Sequence, residues 1–193
     1  MENMIQDPVD EAKSTLDRYI IDPRISRFTV RAFATGLLSA LGHSPTIRIK
    51  DFQGEVRYVP DSLEGAGLSL RIDVRSLSVQ DQISDNDRRE MERQMNDEVL
   101  ETTRFPAIVY ECSRVSGTGG TVTLEGQLTM HGVTRNEPVE ARFYTMGNLL
   151  KAAGEFTVRQ THYDIKLVSA VAGTLRLKDE LKLAFDIAAR KQQ

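Results

Sequence analysis

The chain has 193 residues, with 25 basic and 28 acidic side chains, a net charge of −3, 40% hydrophobic residues and one cysteine. That length supports one domain or two small ones and buries roughly 70% of the unfolded surface, enough for a core without staples. The balance excludes a disordered, collagenous or uniformly basic nucleic-acid-binding chain, and the lone Cys112 excludes an internal disulfide or a cysteine-cluster metal site.

Residues 8–17 predict a short polar helix, with Pro8 in its first turn and Asp10 and Glu11 early, within a tail spanning residues 1–18. No basic stretch leads into an apolar one, and no run approaches the ~18 apolar residues of a spanning helix, so the chain reads as soluble and cytoplasmic. From Tyr19 the dominant period is two. Phe28, Val30 and Ala32 alternate with Arg27, Thr29 and Arg31, the mark of a half-buried strand. Ile47 and Ile49 begin another, but Phe52, Val56 and Tyr58 follow on the opposite parity, so a bulge or bend is expected near Asp51. Leu68, Leu70, Ile72 and Val74 repeat the alternation, as do Ile108, Tyr110 and Cys112, then Val122, Leu124 and Leu128. Val139, Ala141 and Phe143 continue it, followed by Phe156 and Val158 and finally by Leu181, Leu183, Phe185 and Ile187. Gly117, Gly119 and Gly120, residues 132–138 and residues 146–148 separate these runs, and gaps so short specify antiparallel neighbours.

Two segments break the period. Residues 36–43, GLLSALGH, form a helical turn or apolar loop, with Leu37, Leu38 and Leu41 on one side and His43 at its end. Residues 85–101 predict the one prominent helix, opened by a Ser84/Asp87 capping box, striped by Met91, Met95 and Val99, and ended by Pro106.

The expected fold is therefore all-β: an antiparallel up-and-down barrel of about eight strands over residues 19–190, carrying one prominent helix and a short N-terminal helix. Closure removes the two long edges that an open sheet would expose. The inward set (Phe28, Val30, Ala32, Leu68, Leu70, Ile72, Ile108, Tyr110, Leu124, Leu128, Phe143, Phe156, Val158, Leu183 and Phe185) is apolar and suits an alkyl or isoprenoid chain. Leu38 and Leu41 are expected to join it, with His43 at the mouth beside a head group, and with the 36–43 loop and the 85–101 helix closing the two ends. A barrel that fills itself, acting as a protein–protein interaction or stress-associated module, fits the same alternation.

Catalytic signatures are missing from the sequence. There is no Gly-x-Ser-x-Gly elbow, no phosphate-binding glycine loop, and no pair of carboxylates in an apolar run. His43, His131 and His162 fall in separate turns or strand ends, so no metal site is expected; His131 precedes Gly132 and is assigned to that turn. The Met91/Met95 stripe reads as core packing. Arg27, Arg31, Arg48 and Lys50 read as a solvated outer face without the interleaved aromatics of a nucleic-acid site.

Four ordered motifs carry a resemblance: YIIDPRISRFTV at 19–30, RFPAIVY at 104–110 after the helix, LTMHGVT at 128–134 and VRQTHYDI at 158–165. Together they resemble the YceI-like family, in order from about Tyr19 to Ala189. The resemblance implies a lipocalin-like barrel that holds a polyisoprenoid, a fatty acid or a similar amphiphile, often as a homodimer, with no catalytic apparatus and no cofactor beyond that lipid. It is compatible with transient membrane contact through Leu37, Leu38 and Leu41 during loading. At 162–164 this chain has His162, Tyr163 and Asp164 where the family pattern has Asp, an aromatic and Gly.

Overall fold

The computed structural model describes residues 16–35, 44–60, 62–167, 169–170 and 175–192, and their alternation closes into a barrel. The strands are β1 (Asp17–Ile21), β2 (Arg27–Thr35), β3 (Thr46–Ile49), β4 (Phe52–Val59), β5 (Ser62–Asp73) and β6 (Leu77–Val79). After helix α1 (Asp85–Gln94) come β7 (Ala107–Thr118), β8 (Thr121–Met130), β9 (Val133–Met146), β10 (Leu149–Arg159), the two-residue β11 (Ser169–Ala170) and the long β12 (Leu175–Lys191). All pairings are antiparallel, and the ring runs β1-β4-β5-β7-β8-β9-β10-β12, closed by β12 on β1.

Three of the eight ring members are broken into halves. β2 pairs β12 beyond the point where β1 does, and then carries β3 and β6, so β1/β2, β3/β4 and β5/β6 each trace one bent strand. The break expected near Asp51 is there: β3 ends at Ile49 and β4 starts at Phe52, with Lys50 N–H donating to the Ser76 carbonyl and Asp73 N–H to the Asp51 carbonyl. Between β1 and β2 the buried Ser26 hydroxyl bridges the ladder gap, accepting from Ala188 N–H at 3.0 Å and donating to its carbonyl at 3.2 Å. Such bends let a short sheet curl tightly.

The barrel has two unlike ends. At one, β7–β8 and β9–β10 turn through two-residue loops, the first on Gly119 and Gly120 with φ of 62° and 80°. At the other, β2 ends, β3 begins, α1 packs on β6, and the 160–163 helical turn packs beside the His131–Gly132 hairpin. His131 and Gly132 both have positive φ (52° and 79°), the geometry that matches a tight hairpin to sheet twist.

Helix α1 starts where the capping box placed it: the Ser84 hydroxyl accepts from Asp87 N–H at 3.1 Å. It ends close to the expected residue 101. Its last turn widens into a π turn over Met95–Val99, and the chain leaves helix at Glu101, which has φ 45° and whose carbonyl accepts from Arg104 and Phe105 N–H. Two side chains tie α1 to the edge strand β6. Glu92 accepts from Val79 N–H at 2.9 Å, while Arg88 donates to the carbonyls of Val79 and Asp81.

Other expectations shift as well. Asp17, placed in the predicted N-terminal helix, opens β1 instead; its carboxylate meets Lys191 Nζ at 2.7 Å and completes the closing seam. Leu16 is described and is not helical, while residues 8–15 of that helix, and residues 36–43 with Leu37, Leu38, Leu41 and His43, lie outside the described residues. At 164 the departure from Gly leaves the turn intact: Asp164 itself takes the left-handed conformation (φ 55°, ψ 23°), one that aspartate tolerates better than most residues.

Candidate functional site

The barrel encloses an apolar cavity of about 300 Å³. All fifteen expected lining residues within the described region bound it: Phe28, Val30 and Ala32 from β2, Leu68, Leu70 and Ile72 from β5, and Ile108 and Tyr110 from β7. Leu124 and Leu128 come from β8, Phe143 from β9, Phe156 and Val158 from β10, and Leu183 and Phe185 from β12. Leu38, Leu41 and His43 lie outside the described residues. Phe28, Leu68, Ile108, Leu124, Phe143, Phe156, Leu183 and Phe185 line the void yet are only half-buried, because each packs against the core on one side and borders the void on another.

Aromatic contacts shape the wall. Phe28 meets Phe52 edge-on at 4.8 Å between centroids, and Tyr58 meets Phe143 likewise at 5.4 Å. The Tyr110 ring lies where a side chain on Gly126 would be, since a Cβ there would come within 2.3 Å of it. The Tyr110 hydroxyl lies 3.1 Å from the Leu124 carbonyl and 3.0 Å from that of Glu137, and burial pushes its pKa up. Cys112 is buried, as expected, and burial raises its thiol pKa as well.

Several wall residues escaped the sequence reading. The β7–β8 register slips between Cys112 and Arg114, so the inward side passes to Val115, a switch that strict alternation hides. Met91, Met95, Val99 and Leu100 cap the cavity from α1 and its π turn. Met95 is buried as expected, but Met91 is 37% exposed at the rim and does not belong to the core. Gln160 lines the cavity at the same end and is 4% exposed. Its signal was present in principle, as a neutral polar residue two positions after an inward-facing Val158, on the same strand parity.

The histidines stay apart. His131 packs on Phe105 at 4.3 Å between ring centroids, and its Nδ1 lies 3.1 Å from the Tyr163 carbonyl oxygen. Its Nε2 is buried without a hydrogen-bond partner, 3.7 Å from a Glu101 carboxylate oxygen. His162 is exposed, and its carbonyl accepts from Arg135 Nε. Among the described residues no three potential ligands converge to hold a metal, and no helix is long and apolar enough to cross a membrane.

The sequence profile of the YceI-like domain family matches residues 9–189. Among curated protein sequences none matches the chain. Among solved structures it resembles BcnA of Burkholderia cenocepacia (14% identity, TM-score 0.71, covering 87% of this chain and 98% of that one). It also resembles a polyisoprenoid binding domain from Saccharophagus degradans implicated in plant cell wall breakdown (14% identity, TM-score 0.66, covering 90% and 98%). A third is the Campylobacter jejuni YCEI protein (13% identity, TM-score 0.62, covering 76% and 85%). At these identities the likeness is one of fold.

Proposed function

The chain belongs to the YceI-like family, and from that premise we propose that it is a non-enzymatic carrier that sequesters a long-chain amphiphile, an isoprenoid or fatty-acyl chain, inside its barrel. The observation that supports this reading is the unfilled apolar cavity, whose wall is completed at the helix end by side chains of α1. Protein cores are normally packed to the density of organic crystals, so a void lined by half-exposed phenylalanines favours an occupant over a barrel that fills itself. At ~30 Å³ for each water-sized group, 300 Å³ takes about ten such groups. Ten buried methylenes contribute ~8 kcal/mol gross. Lost translational and chain freedom removes several of these, so tight binding needs a longer chain reaching the mouth or a polar anchor.

Loading belongs at the helix end, where the strands are broken and where Met91 and Leu167 are 37% and 42% exposed, apolar enough for transient contact with a membrane that supplies the lipid. Solvent extraction of the purified native protein followed by mass spectrometry is the direct test. The expected result is a stoichiometric long-chain lipid, displaced by a fluorescent fatty acid or isoprenoid. A clean extract combined with no binding of either probe overturns the reading.

A further inference from the structure

The cavity wall contains one buried amide. Gln160 follows β10 at the helix end, lines the cavity and is 4% exposed. Its Nε2 donates to the Lys178 carbonyl oxygen at 2.9 Å. A carbonyl accepts only from the nitrogen, so this bond determines which way the amide lies. One N–H is thereby used, and this bond to Lys178 is the side-chain hydrogen bond that Gln160 makes among the described residues. The Tyr110 hydroxyl serves the Leu124 and Glu137 carbonyls, and Arg57 and Gln94 are exposed. Among the described residues, no buried lysine or arginine lines the cavity.

We propose that Gln160 selects the ligand's head group, favouring an uncharged, hydroxyl-bearing amphiphile (a long-chain alcohol or phenol) over a carboxylate or phosphate. This rests on the carrier reading above. A hydroxyl both donates to Oε1 and accepts from the spare N–H, satisfying the two halves of the amide at once. An ionised carboxylate or phosphate offers Oε1 no proton and sets a charge against an apolar wall with no buried cation to meet it.

The test compares farnesol, farnesyl methyl ether and farnesoic acid, which share a chain and differ at the head, by displacement of a fluorescent isoprenoid from the full chain. In the unmodified protein farnesol binds about five- to tenfold more tightly than the ether, the range of one hydrogen bond. It also outcompetes the acid at neutral pH. In Gln160→Met the farnesol-to-ether ratio falls to about one, because only farnesol donates to Oε1 and any bond accepted from the amide N–H is lost to both ligands alike. A ratio near one in the unmodified protein overturns the proposal even if the variant fails to fold, and so does a ratio that persists in Gln160→Met. If none of the three binds, the carrier reading itself fails.

Discussion

The two ends of this barrel are built to different standards. At the hairpin end every residue with positive φ is a glycine (Gly65, Gly117, Gly119, Gly120 and Gly147), and fully buried Tyr19 fastens β1 between β4 and β12. At the helix end stand Glu101, His131 and Asp164, the three non-glycine residues with positive φ among the described residues. Asn96 Oδ1 in the π turn and Nε2 of His131, buried side-chain atoms without hydrogen-bond partners among the described residues, lie there too. Strain and unmet polarity gather where surrounding structure can hold them and where function uses them. One end is made to stay shut, and the other is where a ligand would pass.

The largest effect expected from this contrast is at the hairpin end. Tyr19→Ala should lower stability by about 3–5 kcal/mol, read from urea midpoints, because a large buried ring is deleted from the closing seam and not from the cavity wall. Met95→Ala at the helix end should cost less, about 2 kcal/mol, since Met95 already borders a void; it should also speed release of a bound fluorescent lipid in stopped-flow displacement. Equal costs for the two variants would erase the distinction between the ends.

A third test uses pH. Tyr163 is fully buried and its hydroxyl donates to Glu137 Oε2 at 3.1 Å. Burial first, then the Glu137 charge, raises its pKa. The folded state therefore favours the neutral phenol, so this contribution is complete below pH ~10, the ordinary value for tyrosine, and is lost as the pH rises past it. Tyr163→Phe should cost about 1 kcal/mol at neutral pH and flatten the alkaline decline of stability in denaturant titrations. An unchanged alkaline limb would remove Tyr163 from the account of the helix end.

The smallest effects are a matched pair. Gly147→Ala at the hairpin end meets no atom within 4 Å of its Cβ, so the backbone conformation alone (φ 58°) should cost about 1 kcal/mol. Asp164→Gly should do the reverse and stabilise by about 0.5 kcal/mol, since φ 55° is relieved but unfolded-state freedom grows. Thermal midpoints moving in the same direction would contradict the assignment of strain to the helix end.

Much of the wall was legible in the chain because a strand alternates faces with a period of two, and one face here is apolar from Phe28 to Phe185. The change of parity at Asp51 was legible too, since Ile49 and Phe52 cannot share a face without a break. The slip after Cys112 was not. Val115 stands among polar and small residues, and only pairing with β8 shows that the register shifts there. The helix was legible from Ser84 and its methionine stripe, and so was its end near residue 101, but its π turn leaves no mark in periodicity.

By itself the sequence determined the strand pattern, the inward apolar set, the tight hairpins and the helix start, because these depend on local backbone preferences and on which side chains avoid water. Tertiary structure alone decided that the ring closes with room inside, that α1 caps one end of it, and that Gln160 lines the void. Those outcomes depend on how far apart opposite walls stand once eight bent strands have closed, a distance that no residue carries alone.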